Sequence, residues 1–379
     1  MNFFMPTRLF TGDNCLEQHK DALAALGTSC LVVTGRHSAK ASGALDDVEH
    51  ALAACGIACV VWDGVTENPP LASCAEAGRV AAEAGAAFIL GVGGGSALDA
   101  AKAVAVFAAN PALSEEDFYA KAWASAPLPI ALMGTTAGTG SEVTKVSVLT
   151  DSRGRKHSIH DDRLYAAVAF GDSRYTRTCS LNTTLTCGVD VLAHATESYF
   201  SRKADEISRA AAVRAIRLAA EPLRIAGTGG VHQKSLGDRV LSPGWRERLY
   251  EASILGGLAI NTTGTCFPHN VGYYLTETRG VPHGFASAAF LPAMLRLVRE
   301  DDPAYAAAFY EEVGMDEAAF VSLIQDFCLP TELDAIRMSP TEIEAALPRW
   351  QDNGSVKNTR ADVTAETIRE ILTTMFVKG

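Results

Sequence analysis

Residues 88–105 read FILGVGGGSALDAAKAVA, from Phe88 to Ala105. Phe88, Ile89 and Leu90 make a short, wholly apolar run that suits a buried strand. Gly93, Gly94 and Gly95 then form a turn, and Ser96 opens an amphipathic helical stretch. Ser96-x-x-Asp99 has the form of a capping box, with Asp in place of the usual Glu or Gln. Glycines in such a turn let phosphates approach the backbone, and a helix N-terminus offers free N–H groups and the positive end of its dipole. The plainer alternative is a tight strand-to-helix turn that binds nothing. The spacing is not G-x-G-x-x-G, so the usual dinucleotide fingerprint does not apply.

The same rhythm extends outward from this motif. SCLVVTG (29–35) and IACVVWDG (57–64) read as buried strands, while SGALDDVEHALAACG (42–56) and LASCAEAGRVAAEAG (71–85) read as helices. Strand and helix alternating at this spacing imply βαβ units and a parallel sheet. A further apolar strand runs into ALMGTTAGTGSEVT (131–144), a loop dense in Gly and hydroxyl side chains. Thr135, Thr136, Thr139, Ser141 and Thr144 lie in it, and several offer hydrogen bonds to a phosphate, ribose or amide. Ligands of open α/β sheets sit at the carboxyl ends of strands, so two such loops support each other.

After about residue 180 the periodicity becomes helical throughout, as in TTLTCGVDVLAHATESYF (183–200), ISRAAAVRAIRLAAEPLR (207–224), RERLYEASILGGLAI (246–260) and AETIREILTTMF (365–376). The segment 226–245, AGTGGVHQKSLGDRVLSPGW, has the composition of a surface loop, with its first residues the best candidate for disorder. The expected organisation is an α/β domain over 1–178 and an all-α domain over 179–379, with a cleft between them as a natural site.

Composition narrows the function classes. A chain of 379 residues with 48% hydrophobic and 20% charged residues is ordinary globular material. The net charge of −11 and the absence of long Lys/Arg runs argue against nucleic acid as a partner. No apolar run is long enough to span a membrane. The N-terminus, MNFFMPTRLF, lacks the charged and apolar regions of a signal peptide. Nine scattered cysteines without a C-x-x-C pair do not form a disulfide framework, and a cytoplasmic location is expected.

Chemistry enters with GVDVLAHATESY (188–199). Asp190 and His194 stand four apart in a helical run and share one otherwise apolar face. Burying that pair is costly unless something compensates, either an internal Asp–His hydrogen bond or a divalent cation. The segment HNVGYYLTETRGVPH (269–283) is bracketed by two more imidazoles, His269 and His283. Together the four groups make a one-oxygen, three-nitrogen set suited to Fe²⁺ or Zn²⁺. Pro282 and Gly284 on either side of His283 suggest a loop-to-helix junction.

Taken jointly, GGGSALDAAKA, GTTAGTGSEVT, GVDVLAHATESY and PHNVGYYLTETRGVPHG resemble the iron-containing (group III) alcohol dehydrogenase family, in its order and over nearly the whole chain. The resemblance implies a dehydroquinate synthase-like fold. It implies Fe²⁺, with Zn²⁺ or another divalent metal as alternatives, on Asp190, His194, His269 and His283. It implies NADP or NAD against Gly93, Gly94, Gly95, Ser96, Asp99 and the Thr135–Thr144 loop, with Lys156 near the nicotinamide, and a homodimer. The reaction implied is hydride transfer between NAD(P)H and a small aldehyde or primary alcohol, including aldehydes with an anionic tail such as a phosphonate or sulfonate.

Two positions depart from the family pattern. Many members carry an extra histidine four residues beyond the third ligand, where this chain has Tyr273. Many also place an acidic residue after the first strand to hold the adenosine ribose, where this chain has Gly35, followed by Arg36, His37 and Lys40. Loss of that carboxylate removes repulsion against a 2′-phosphate, so NADP(H) is expected to be accepted. Asn261, Phe267 and Tyr273 are expected around the substrate. The competing readings are a zinc polyol (glycerol-type) dehydrogenase, a dehydroquinate synthase-like lyase, and a non-catalytic nucleotide-binding or metal-sensing protein.

Overall fold

The fold follows from where the apolar side chains go. The computed structural model describes residues 3–227, 242–328 and 336–377. The chain divides into two compact units, one over Phe4–Ser180 and one over Leu181–Gly379.

The first unit carries a six-stranded sheet in the order β1-β8-β5-β4-β2-β3. Its strands are β1 (Arg8–Thr11), β2 (Ser29–Gly35), β3 (Ala58–Val65), β4 (Phe88–Gly93), β5 (Ile130–Gly134) and β8 (Val168–Gly171), all paired in parallel. Alternate side chains feed two cores. Leu31, Val33, Ile89 and Leu132 face α2 (Leu71–Glu83) and α3 (Gly95–Ala109). Cys30, Val32, Phe88, Leu90 and Met133 face α1 (Ala44–Ala54). Central strands buried on both faces explain the continuous apolar runs. A small antiparallel hairpin, β6 (Val146–Thr150) with β7 (Lys156–His160), completes the unit. The interior strands β2, β4 and β5 end level with one another at their carboxyl ends, since Thr34 pairs with Val92 and Gly93 with Gly134. Gly35, the glycine turn and the Thr135–Thr144 loop therefore begin at the same carboxyl end of the sheet.

The second unit is helical in its described residues. Its centre is α4 (Leu181–Tyr199), buried on all sides from Gly188 to Tyr199, which packs on α5 (Glu206–Gly227) and α6 (Pro243–Thr263). α7 (Phe267–Arg279) ends at Gly280, whose φ of 68° is the left-handed conformation that glycine adopts readily at a helix C-terminus. Pro282 then caps α8 (His283–Ala288), the loop-to-helix junction read from Pro282 and Gly284. The surface-loop and disorder readings over 226–245 fall largely on residues 228–241, outside the described residues. Pro243 to Trp245 already belong to α6.

The capping box is a correction. α3 begins at Gly95, with Gly94 in the cap position and no side chain capping it. Gly93 has a φ of 152°, and a side chain there would meet the Cβ of Ala97 at 2.7 Å. Glycine thus lets the chain turn earlier, Ser96 falls inside the first helical turn, and Asp99 is engaged elsewhere.

Candidate functional site

In the helical unit, α4 brings Asp190 and His194 to one face. α7 adds His269, and the first residue of α8 adds His283. Asp190, His194 and His269 are 3%, 6% and 1% exposed, and their ligating atoms lie within 4.8 Å of one another. Asp190 Oδ1 stands 3.4 Å from His269 Nε2 and 3.8 Å from His283 Nε2, and Asp190 Oδ2 stands 3.9 Å from His194 Nδ1. The rings of His194 and His269 stack at 4.5 Å between centroids, and those of His269 and His283 meet edge-on at 5.3 Å. The His283 side chain is 26% exposed, so the cluster opens on that side.

Two buried atoms in this cluster, Asp190 Oδ1 and His269 Nε2, make no hydrogen bond. Leaving each unsatisfied costs about 1–3 kcal/mol. Burial works to raise the Asp190 pKa, yet the imidazoles of His194, His283 and His269 overcome it and hold the carboxyl far below the usual range. An anionic oxygen and inward-facing imidazoles at these separations fit a divalent cation bound at about 2.0–2.2 Å from each donor. The residues present therefore suit the metal that the family resemblance implies.

Local sequence explains how His283 reaches the cluster. A Cβ on Gly284 would lie 2.0 Å from the Thr186 carbonyl oxygen and 3.0 Å from the Asp190 Cβ. A Cβ on Gly272 would lie 2.8 Å from the Ala286 backbone. Two glycines thus let α8 lie directly on both α4 and α7. Tyr273, one turn after His269 on α7, stacks on His283 with centroids 5.4 Å apart and planes 22° apart. Asn261 is 6% exposed on α6, whereas Phe267 has no exposed surface and belongs to the core rather than to an open pocket wall.

Sequence reasoning passed over Glu197. This residue is wholly buried on α4. Its Oε1 bonds His269 Nδ1, and its Oε2 accepts the backbone N–H of Cys266 at 2.6 Å and of His269 at 3.4 Å. Burial disfavours the His269 imidazolium, but the carboxylates of Glu197 and Asp190 outweigh it and raise the pKa to about 10. The signal was available: Glu197 lies three residues after His194 and seven after Asp190, on the same helical face.

In the α/β unit the two small-residue loops interlock. Thr135 N donates to the Gly93 carbonyl at 2.8 Å. A Cβ on Gly95 would meet Thr139 Cγ2 at 2.6 Å, and one on Gly94 would meet Thr136 Cγ2 at 3.2 Å. Gly94, Gly95, Ser96, Thr136 and Thr139 keep part of their surface exposed, whereas Thr135, Ser141 and Thr144 are buried. Asp99 takes a hydrogen bond from Ser141 Oγ at 2.6 Å and from Val148 N at 3.0 Å. Asp99 and Ser141 thus tie the loop to α3, and the exposed subset forms the face available to a ligand. Lys156 opens β7, and its charge helps Lys102 and the two hydrogen bonds moderate the rise that burial gives the Asp99 pKa. Gly35 ends β2, where Lys40 Nζ meets Asp63 Oδ2 at 2.9 Å.

Lys102 was also overlooked, because its place in a helical run reads as a surface charge. It has no exposed surface, and its ammonium donates to Ser141 O at 2.8 Å, Ser141 Oγ at 2.7 Å and Val146 O at 2.7 Å. Burial pulls its pKa down to about 8, against the opposing charges of Asp99 and Glu142.

A family model described as iron-containing alcohol dehydrogenase matches residues 6–173, and one for the C-terminal part of the Fe-containing alcohol dehydrogenase family matches 184–376. The chain is 33% identical over 302 residues to a 1,3-propanediol dehydrogenase of Citrobacter freundii, covering 78% of this chain and 74% of that one. It is 28% identical over 339 residues to a sulfoacetaldehyde reductase of Bilophila wadsworthia, covering 85% of each. Its fold matches the crystal structure of an iron-containing alcohol dehydrogenase from Thermotoga maritima, with a TM-score of 0.88, 33% identity and 99% of each chain covered. No helix among the described residues is long and apolar enough to cross a membrane.

Proposed function

Since this chain belongs to the iron-containing alcohol dehydrogenase family of oxidoreductases, we propose that it reduces a small aldehyde with NAD(P)H, or oxidises the matching primary alcohol, at a divalent metal held by Asp190, His194, His269 and His283. The observation that carries the metal assignment is the pair of buried atoms Asp190 Oδ1 and His269 Nε2, which lie 3.4 Å apart and make no hydrogen bond. Iron is the first candidate and zinc the second. A cation there would supply Lewis-acid polarisation of the substrate oxygen, and the nicotinamide would carry the hydride.

The chain's own residues do the positioning. Asp190 supplies the negative charge, and burial keeps water from screening it. Tyr273 covers one face of His283 and limits how that ring can turn. The exposed small residues Gly94, Gly95, Ser96, Thr136 and Thr139 would face the nucleotide, on the support of Asp99 and Ser141.

Relatives named for 1,3-propanediol and for sulfoacetaldehyde support a small substrate, and the second supports one with an anionic tail. NADP(H) is expected to be accepted within this reading, because Gly35 itself carries no carboxylate and Arg36, His37 and Lys40 follow, although Lys40 pairs with Asp63. A large preference for NADH in catalytic efficiency would refute that expectation. Eight of the nine cysteines, Cys15 to Cys266, are free thiols, in keeping with a cytoplasmic enzyme, and a homodimer is the assembly to look for by light scattering. The deciding experiment is NAD(P)H oxidation with a panel of neutral and anionic aldehydes, with metal analysis alongside. A metal-free protein with full turnover would overturn the proposal. Turnover only on glycerol-like polyols would favour the polyol dehydrogenase.

A further inference from the structure

We propose that Glu197 is a positioning residue of the metal site: it selects which nitrogen of His269 carries the proton and thereby leaves Nε2 free to ligate. This inference rests on the assignment of His269 as a ligand.

The geometry is specific. The Glu197 side chain is wholly buried, with one oxygen against the ring nitrogen His269 Nδ1 and the other accepting the backbone N–H groups of Cys266 and His269. An ionised carboxylate only accepts hydrogen bonds. Burial raises the Glu197 pKa, opposed by His269 and the two backbone amides; against the ionised form, His269 Nδ1 is the donor. When a cation displaces the second proton of the imidazolium, Nδ1 keeps its N–H on Glu197 and Nε2 supplies the lone pair. That atom is the buried one with no hydrogen bond, 3.4 Å from Asp190 Oδ1. The cation that satisfies both needs the tautomer that Glu197 imposes. Glu197 also fixes the ring's direction, because the two backbone amides anchor its other oxygen at the start of α7.

Replacement by glutamine tests this sharply. Glu197→Gln keeps shape and size but offers one acceptor oxygen and one NH₂ donor. The two backbone amides demand the oxygen, so the NH₂ group faces Nδ1. Nδ1 then becomes the acceptor and the proton moves to Nε2, which can no longer ligate.

The experiment titrates the metal-stripped full-length protein with Co²⁺ against a competing chelator and records the visible spectrum of the bound ion. Wild type, Glu197→Gln, His269→Ala and the double variant are compared, with melting curves to verify folding. Glu197→Gln is expected to weaken Co²⁺ binding about 10–100-fold and to alter the spectrum. The double variant is expected to bind no more weakly than His269→Ala, because Glu197 acts through that ring. Wild-type affinity and spectrum in Glu197→Gln overturn the proposal, as does a double variant that loses the same factor again. Absence of Co²⁺ binding by wild type, or unchanged binding by His269→Ala, overturns the ligand assignment itself. Should Glu197→Gln not fold, ¹⁵N shifts of the histidines in the Zn²⁺-loaded wild type decide: a protonated Nδ1 on His269 supports the inference, and a bare Nδ1 sinks it.

Discussion

Both halves of this molecule bury charge, and the Lys102–Asp99 group and the Asp190–His269 group are treated in opposite ways. In the α/β half, Lys102 spends its three protons on three oxygens at 2.7–2.8 Å, and Asp99 accepts from Ser141 and Val148. In the helical half, Asp190 Oδ1 and His269 Nε2 remain without hydrogen bonds. A satisfied buried charge is a girder that holds neighbouring loops in shape. An unsatisfied one demands a ligand, because leaving it bare costs stability. The contrast separates support from candidate site better than residue type does, since each half buries an aspartate.

The largest effect should come from breaking the unsatisfied side. His269→Ala is expected to reduce bound metal to background and abolish turnover with it, read by metal analysis and an NAD(P)H assay on one preparation. Retention of both would erase the distinction between the halves. Lys102→Met breaks the satisfied side. It strands Ser141 O and Val146 O and leaves Asp99 uncompensated, with an expected loss of about 3–5 kcal/mol in unfolding free energy. The Michaelis constant for the cofactor should rise while metal content per folded molecule stays at the wild-type level. Loss of metal in this variant would mean that the two halves do not fail independently.

Smaller effects sharpen the picture. Gly284→Ala pushes α8 away from the Thr186 carbonyl, at an expected cost of about 1–3 kcal/mol, and weakens metal binding through His283. Unchanged melting and metal affinity would show that α8 yields without cost. Lys102 is a cation below its lowered pKa and neutral above it. The cofactor dissociation constant should therefore rise as pH climbs through about 8 and level off at lower pH, a dependence followed by fluorescence titration. A flat profile would mean that the ammonium keeps its proton across that range. Tyr273→Phe keeps the stacking on His283 and removes only the hydroxyl. A change in turnover of less than about tenfold is expected, well short of the contribution of a general acid.

The sheet was legible because buried parallel strands are continuously apolar, and residues 29–35 were assigned as a strand to the residue. The clustering of Asp190, His194 and His269 was legible in part, because Asp190 and His194 share a helical face and His269 and His283 bracket one segment. What escaped was whatever depends on a partner distant in sequence. Ser96-x-x-Asp99 matches a cap locally, but Asp99 finds better donors about forty residues on, at Ser141 and Val148. Lys102 reads as a surface charge until the loop that encloses it is in place. Glu197 lies on the right helical face, yet nothing nearby in sequence signals that His269 will meet it.

α4 and α8 contribute Asp190 and His283 from positions roughly ninety residues apart, so an ion that grips both is a removable cross-link across that span. Stripping it lengthens the tether rather than dissolving the helices. A chelated sample should thus be nicked first by protease around residues 265–290, while the parallel sheet of the other half stays resistant.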